Sequence, residues 1–206
     1  MTDKLVWLGA PLVLGSKSAA RLALLETAGI HAIAFAPEVD ERSIEQEFVK
    51  SGGRPADLAQ RLAEAKCLDV SQRRPSDICL AADQTLLLNG ELFHKAKDRS
   101  DLSAALARLA GRTHVLTSAA CIAIAGKVKY STVDSASLTM RPLGSTDIER
   151  YLNLAWPDVA NSVGGYQIEG IGIHLFSEIV GTQSTIIGLP LLTLLGWFRQ
   201  SGYLRI

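Results

Sequence analysis

The sequence predicts an α/β fold, and three features carry that prediction. An apolar run at residues 12–15 ends in glycine and leads, through small and hydroxyl residues, into a helical pattern. A continuous apolar run at residues 78–82 is typical of a buried strand. Two long β-prone segments follow at residues 113–125 and 128–140. Strands that alternate with helical segments in this way indicate an open α/β sheet.

The composition excludes some classes of protein. The 206 residues are 48% hydrophobic and 20% charged, with a formal net charge of zero. No global field therefore draws the chain to nucleic acid or to an anionic membrane, and ligand phosphates would need a local basic cluster. Residues 1–4 carry no basic leader, and Gly9 and Pro11 interrupt the apolar stretch after them. We expect neither a signal peptide nor a membrane span.

The three cysteines, Cys67, Cys79 and Cys121, are odd in number and lie in apolar surroundings. Their spacing is not that of a zinc site. We expect reduced, buried thiols in a cytoplasmic protein.

The first strand–loop–helix unit contains Ser16, Ser18 and Arg21. Free backbone N–H groups and the positive end of the helix dipole make such a helix start a ready phosphate site. Two alternatives remain open: Ser18 serves only as the helix N-cap, and Arg21 is only a solvated side chain.

Residues 27–68 contribute two candidate elements for a functional site. Gly29 suits the end of the first helix, and residues 31–35 form a short strand. The segment at residues 37–41 contains three acidic residues. It is either a solvated turn or a cluster that binds a metal or contacts a nucleobase. After a glycine break, Pro55 suits a first helical turn, and the helix that continues to residue 68 carries Lys66 beside its apolar stripe. Lys66 either snorkels from the core edge or reaches into a cleft.

Asp83 is expected where the buried strand ends, which is where open α/β sheets place catalytic groups. Asn89-Gly90 between apolar runs predicts a β-hairpin after it. The loop at residues 94–100, with Lys95, is the best local basic cluster, although a solvated loop is the alternative.

The second half of the chain predicts further helices and strands. They are, in order, a helix at residues 101–110 stopped by Gly111, the strands at 113–125 and 128–140 joined at Gly126, a helix capped by Ser145 that ends at Trp156-Pro157, a glycine-rich segment at 164–173, a strand at 174–180, and a last helix after Pro190.

Read together, these motifs resemble the Maf family of nucleoside triphosphate pyrophosphatases over nearly the whole chain. The matching segments are Ser16-Lys17-Ser18-Ala19-Ala20-Arg21, Val39-Asp40-Glu41, Ala65-Lys66, Ala82-Asp83, His94-Lys95-Ala96-Lys97-Asp98, Ala110-Gly111-Arg112-Thr113-His114, Tyr166-Gln167-Ile168-Glu169-Gly170 and Ile187-Gly188-Leu189-Pro190.

The resemblance implies a single Maf-like domain over residues 1–206. Its fold would be a mixed twisted sheet flanked by helices, of the Maf/ITPase-like type, with two lobes around a nucleotide cleft. The implied reaction cleaves the bond between the α and β phosphates with Mg²⁺, or another divalent metal such as Mn²⁺, and releases a monophosphate and pyrophosphate. The resemblance also implies a homodimer and a link to septum formation.

The residues carried over from the family fall into three groups. Asp83, Lys66 and Lys95 would be catalytic, with Asp83 favoured as the base because an aspartate carboxyl is normally ionised at pH 7. Glu41 and Asp83 would hold the metal through oxygen ligands, a role that competes with the base role of Asp83. The substrate-binding residues would be Ser16, Ser18, Ala20, Arg21, Gln84 and Glu169.

Three of these positions bear on which nucleobase the substrate carries. The family members that act on thymidine and uridine triphosphates have Arg, Thr and Gln where this chain has Ala20, Gln84 and Glu169. Gln84 and Glu169 instead resemble the subgroup that acts on 7-methyl-GTP, and a carboxylate can accept the guanine N1–H and 2-amino donors. As an alternative, Glu169 is a structural carboxylate that accepts loop N–H groups.

Other functions stay open at this stage. One is a nucleotide-binding regulatory module with little hydrolysis, and another is a thymidine or uridine triphosphate pyrophosphatase. The sequence does not favour a dinucleotide-dependent oxidoreductase, since no G-x-G-x-x-G follows a predicted strand.

Overall fold

The computed structural model describes residues 6–206, and the predicted α/β architecture is confirmed. The amino-terminal residues 1–4, from which no signal peptide was expected, lie outside this range. The strands are β1 (Leu12–Gly15), β2 (Ala32–Ala34), β3 (Cys79–Leu88), β4 (Glu91–Phe93), β5 (Thr113–Ile124), β6 (Lys127–Met140) and β7 (Phe176–Val180). The α-helices are α1 (Ala19–Thr27), α2 (Glu41–Lys50), α3 (Leu58–Arg73), α4 (Arg99–Leu109), α5 (Ser145–Ala155), α6 (Gln183–Ile187) and α7 (Leu191–Gln200). Short 3₁₀ helices lie at Pro55–Asp57, Asp158–Asn161 and Ile171–Leu175.

Within the described residues, the strands form one seven-stranded sheet in the order β2-β1-β3-β5-β6-β7, with β4 paired to β3. Strand β1 runs parallel to both β2 and β3. The β3–β4 and β6–β7 pairs are antiparallel. The sheet is therefore mixed, as expected.

The chain divides into two compact units. Within the described residues, the first unit comprises residues 6–84, 118–134 and 188–206. Its part of the sheet is covered on both faces, because alternate residues of a strand point to opposite sides. On one face, Leu14 and Leu80 pack with Leu25 of α1 and Phe198 of α7. On the other face, Val13 of β1 and Cys79 and Ala81 of β3 pack against α3.

The second unit comprises residues 85–117 and 135–187. Its core is a single apolar cluster that joins the ends of β3, β5 and β6 to α4 and α5. Leu102 and Leu106 of α4 and Leu152 of α5 are fully or almost fully buried in it.

The turns follow the residues that predicted them. Asn89 and Gly90 both have positive φ, at 53° and 83°, and connect β3 to β4. Gly29 follows the last turn of α1 with φ 75°, and its N–H donates to the carbonyl of Glu26. Positive φ is favoured by glycine, which has no Cβ, and is tolerated by asparagine. These residues therefore form the turns that the sequence predicts.

Several element boundaries were predicted wrongly. Strand β3 does not end at Asp83 but continues to Leu88. Helix α5 is capped by Gly144 rather than Ser145, because the Asp147 carboxylate accepts the Gly144 N–H at 3.1 Å. The strand expected from residue 174 begins at Phe176, after a 3₁₀ helix.

Two helices were not predicted. Helix α2 begins at Glu41, the last residue of the acidic segment at 37–41. Seven of its ten residues are polar or charged and none is buried, so no apolar run marked it in the sequence. Helix α6 spans only five residues, which is too short for a periodic pattern.

The cysteines behave as predicted: all three are free and buried. The Cys67 thiol donates to the carbonyl oxygens of Cys121 and Cys79, at 3.0 and 3.3 Å. Contact with the Cys121 thiol and burial raise the pKa of Cys67 above its usual range. Between residues 6 and 206, no helix combines the length and apolar content needed to cross a bilayer.

Candidate active site

The centre of the candidate site is a lysine ammonium between two carboxylates. Lys66 lies on the inward face of α3 and is 7% exposed. Its Nζ is 2.5 Å from Asp83 Oδ1 and 2.9 Å from Glu41 Oε1. Of the two interpretations of Lys66 from the sequence, the snorkelling one is therefore wrong. The side chain reaches inward and pairs with both acids.

The register of the sheet places Asp83 opposite Lys66. The parallel pairing of β1 with β3 ends at Gly15 and Ala81, two residues before Asp83. Asp83 shares a face with Cys79 and Ala81, which pack against α3. The expectation that Asp83 terminates its strand is wrong, but the side chain still lies just past the carboxyl end of the parallel pair. Oδ1 faces Lys66, and no described residue donates a hydrogen bond to Oδ2.

The start of α2 presents Glu41 to Lys66. Asp40 is the N-cap, and its carboxylate accepts the Ser43 backbone N–H at 3.0 Å and the Ser43 hydroxyl at 2.9 Å. These hydrogen bonds lower the pKa of Asp40 below its usual value. Glu41 follows as the first helical residue, where the helix dipole favours a carboxylate. Its side chain is 55% exposed, so the acidic segment lies in a partly solvated helix start.

Sequence reasoning missed the residues that hold the loop before α2. The Arg73 guanidinium donates to Asp69 at 2.5 Å and to the Ala36 carbonyl at 2.9 Å. Asp69 also accepts the Glu38 N–H at 2.9 Å, and the guanidinium lies 4.7 Å from the Phe35 ring centroid. These contacts tie the loop to α3, the helix that carries Lys66. The i, i+4 spacing of Asp69 and Arg73 was the available signal.

The loop between β1 and α1 is closed by its own hydroxyl groups. Ser18 is the N-cap of α1, and its hydroxyl accepts the Arg21 N–H at 3.3 Å. The Ser16 hydroxyl, in a residue that is 7% exposed, accepts the Ser18 N–H at 3.2 Å. The N–H groups of Ala19 and Ala20 make no hydrogen bond to a described residue, as expected for a first helical turn. The N-cap role of Ser18 is thus compatible with a helix start that can receive an anion.

Arg21 joins this loop to two other segments of the first unit. Its Nε donates to the Gly188 carbonyl at 2.8 Å, and its Nη1 donates to the Ala82 carbonyl at 2.7 Å and to the Ser16 hydroxyl at 3.3 Å. Burial lowers the pKa of the guanidinium, while the charges of Asp83 and Glu41 oppose that shift. Arginine stays protonated at any relevant pH. The interpretation of Arg21 as a solvated side chain is wrong.

The other substrate-binding candidates of the first unit lie in the same segments. Ala20 is half-buried in the first turn of α1, beside Arg21. Gln84 follows Asp83 and points to the opposite face of β3, where its amide donates to the Ser118 hydroxyl at 3.0 Å. The first unit therefore contains Ser16, Ser18, Ala20, Arg21, Glu41, Lys66, Asp83 and Gln84, but the Gln84 side chain lies on the face of β3 opposite to Asp83.

Two predicted site residues belong to the second unit. Lys95 is exposed in the loop after β4, and no described acid pairs with it. Glu169 is exposed in the glycine-rich segment and accepts no hydrogen bond from a described residue. The alternative role of Glu169 as a structural carboxylate is therefore wrong.

A buried aromatic pair fixes the glycine-rich segment within the second unit. His114 Nε2 lies 2.5 Å from the Tyr166 hydroxyl, and His114 is fully buried. The Tyr151 hydroxyl donates to the Gly165 carbonyl at 3.0 Å, and the Ser162 hydroxyl donates to the Tyr166 carbonyl at 2.7 Å. Burial lowers the pKa of His114 to about 4. Both motifs were visible in the sequence, but not their contact.

The donor set fits a hard divalent cation. No group of three or more His, Cys, Asp or Glu side chains within residues 6–206 could hold a metal by itself. Mg²⁺ needs no such cage, since it is held by one or two carboxylates together with water and substrate phosphates. Glu41 and Asp83 both contact the Lys66 ammonium, and together they supply the two carboxylates that such a site needs.

Comparison with known proteins adds an independent finding. A protein from Rhodopseudomonas palustris (strain BisB18), named nucleoside triphosphate pyrophosphatase, is 47% identical over 196 residues, which cover 95% of this chain and 96% of that protein. A Brucella abortus (biovar 1, strain 9-941) protein named 7-methyl-GTP pyrophosphatase is 44% identical over 189 residues, or 92% and 95% of the two chains.

Among solved structures, the Ham1 protein of Staphylococcus aureus aligns with 94% of this chain and 100% of its own, at 14% identity and a TM-score of 0.48. The family model described as Maf-like protein matches residues 11–201. Because that match spans most of the sequence, the chain belongs to the Maf-like protein family.

Proposed function

We propose that this chain is a hydrolase that cleaves nucleoside triphosphates to a monophosphate and pyrophosphate. The observation that carries the proposal is the buried Lys66 ammonium between Asp83 and Glu41, in the same unit as the start of α1. Hydrolysis of a phosphoanhydride needs positioned cations and a carboxylate near the attacking water. The names of the Rhodopseudomonas and Brucella relatives support this reaction class.

Asp83 acts as the base in this proposal. In the structure its Oδ1 pairs with Lys66, whereas its Oδ2 accepts no hydrogen bond from a described residue and can take a water proton. The water oxygen forms a bond to one of the two phosphorus atoms that flank the bridging oxygen between the α and β phosphates. The bond between that phosphorus and the bridging oxygen breaks, and its electron pair stays on the bridging oxygen of the departing phosphate group. Lys66 and the N–H groups at the start of α1 stabilise the negative charge.

Glu41 and Asp83 would hold Mg²⁺ or Mn²⁺ through carboxylate oxygens. The bound cation would neutralise charge on the phosphate oxygens. Lys95 stays a predicted further cation for the triphosphate. The loop that receives the phosphates is shaped by Ser16, Ser18 and Arg21. The homodimer, the cytoplasmic location and the link to septum formation stay predictions.

We propose 7-methyl-GTP, or a similarly modified guanine nucleotide, as the preferred substrate. Glu169 is exposed and accepts no hydrogen bond from a described residue, so its carboxylate can accept the donors of a guanine edge. The positive charge of a methylated guanine adds attraction to that carboxylate. The Brucella relative with the matching name supports the same choice.

The reaction is tested by measuring pyrophosphate release with Mg²⁺ from a panel of GTP, 7-methyl-GTP, dTTP and UTP. We expect Asp83→Asn to lower kcat by about 10²–10⁴-fold, because the amide cannot take the proton. Asp158→Asn, at an exposed position in the second unit, is the matched control and should leave turnover unchanged. Wild-type turnover by a folded Asp83→Asn variant would contradict the base assignment.

The same panel distinguishes the other functions. Turnover of no nucleotide at micromolar enzyme would favour a regulatory module that binds without hydrolysis. Faster turnover of dTTP or UTP than of 7-methyl-GTP would contradict the proposed substrate. Glu169→Gln should lower kcat/KM for 7-methyl-GTP about tenfold or more relative to UTP, whereas Glu178→Gln, an exposed acid on β7, should not change that ratio.

A further inference from the structure

The position of Lys66 has a consequence for metal binding. Its ammonium lies within 3 Å of one oxygen of Asp83 and one oxygen of Glu41, the two residues assigned to the metal. We propose that, when no nucleotide is bound, the Lys66 ammonium occupies the cation position between these carboxylates and keeps free divalent metal out. The inference rests on the proposed function and assigns Lys66 a second role, that of a gate on the metal site.

The ammonium and a divalent cation compete for the same oxygen atoms. Mg²⁺ binds carboxylate oxygens at about 2.0–2.1 Å, closer than the 2.5 and 2.9 Å of the present contacts with Lys66. Placing the metal on both oxygens while Lys66 stays would bring two positive centres into direct proximity. Their repulsion is large in a buried site, where water screens it poorly. The metal and the ammonium are therefore alternatives at this position.

Burial makes Lys66 an effective occupant. The residue is 7% exposed and Asp83 is 8% exposed, so the pair has little access to water. The charges of Asp83 and Glu41 also act on Arg21. Its Nε and Nη1, however, donate to carbonyl oxygens and to Ser16, so Arg21 does not replace Lys66 between the two carboxylates. Among the described residues, Lys66 is the cation that bridges the two acids.

A bound triphosphate offers Lys66 another partner. The lysine side chain is flexible and compact, and its ammonium can turn toward phosphate oxygens without loss of charge pairing. Helix α2, which carries Glu41, has no buried residue, so the Glu41 end of the bridge can adjust at low cost. The nucleotide and its metal are then expected to enter together, since the anion that draws Lys66 away also opens the carboxylates to the cation.

The test measures metal binding in the absence of nucleotide. Mn²⁺ is titrated into the full chain, and free Mn²⁺ is followed by electron paramagnetic resonance. We expect Lys66→Met to bind Mn²⁺ about tenfold or more tightly than wild type, because the competing charge is removed. Lys66→Gln, which keeps an amide donor toward the carboxylates, should change the affinity in the same direction.

Two controls locate the effect. Lys50→Met removes an exposed lysine from the end of α2 and should leave Mn²⁺ affinity unchanged. Lys66→Met combined with Asp83→Asn should lose the gain, since one of the two ligands is removed. Circular dichroism of each variant verifies folding.

An Mn²⁺ affinity in the folded Lys66 variants that equals the wild-type value would overturn the inference, as would a gain that survives Asp83→Asn. The titration involves no turnover, so it fails separately from the proposed function. A wild-type chain that hydrolyses no nucleotide refutes the reaction, whereas an active enzyme with unchanged metal affinity refutes only the gate.

Discussion

Protonation of His114 should destabilise the folded chain in mild acid. His114 is fully buried, and its Nε2 pairs with the Tyr166 hydroxyl. Its Nδ1 is buried without a hydrogen-bond partner among the described residues. A protonated ring would carry a buried charge and an Nδ1–H donor with no acceptor. The neighbouring Phe176 ring, 6.0 Å away, offers neither a counter-charge nor a strong acceptor.

The size of the effect follows from the shift in pKa. Burial lowers the pKa of His114 to about 4, whereas an unfolded histidine titrates near 6.5. Between these values the unfolded chain binds more protons than the folded chain, so stability rises with pH through this window and falls as pH is lowered. From pH 7 to pH 5, His114 alone should reduce the free energy of unfolding by about 2 kcal/mol.

The assay compares urea unfolding of wild type and His114→Gln at pH 7 and pH 5, followed by circular dichroism. The glutamine keeps a polar partner for Tyr166 but does not titrate, so the variant should lose about 2 kcal/mol less than wild type between the two pH values. His174→Gln, which removes an exposed imidazole in the same unit, is the control and should behave like wild type. Equal pH sensitivity of His114→Gln and wild type would refute the reasoning.

Gly165→Ala tests the packing of the second unit, with Gly90→Ala as its control, and Arg21→Lys tests the contacts of the loop before α1. Gly165→Ala should destabilise the chain by about 2–3 kcal/mol, since φ is +70° and the new Cβ would overlap the Leu102 side chain. Gly90→Ala, with φ +83° and no atom within 4 Å, isolates the backbone strain and should cost only about 1 kcal/mol in the same urea titration. Arg21→Lys should cost about 1–3 kcal/mol in thermal unfolding, because one ammonium cannot serve both backbone carbonyls. A Gly165→Ala variant no less stable than Gly90→Ala, or an Arg21→Lys variant with an unchanged Tm, would contradict these assignments.

Features with local causes were predictable from the sequence. The Asn89-Gly90 turn, the glycine after α1 and the Ser18 cap each follow from the conformation of a few adjacent residues. The buried strands also followed from their continuous apolar runs. Helix α2 was missed because seven of its ten residues are polar or charged and none is buried. The end of β3 was misplaced because a polar residue in a strand does not interrupt the pairing of its backbone.

The sequence by itself determined the family, the order of the elements and the residue types available for the site. Motif spacing placed Lys66 on a helix and Asp83 on a buried strand, but it left open whether Lys66 reached inward. The tertiary structure decided that question, since the parallel register of β1 and β3 turns Asp83 toward α3 and Lys66. Glu41 joins them from a helix 25 residues before Lys66 in the sequence. Such contacts depend on how whole elements pack, which local sequence does not encode, and they set the charge balance at the candidate metal position.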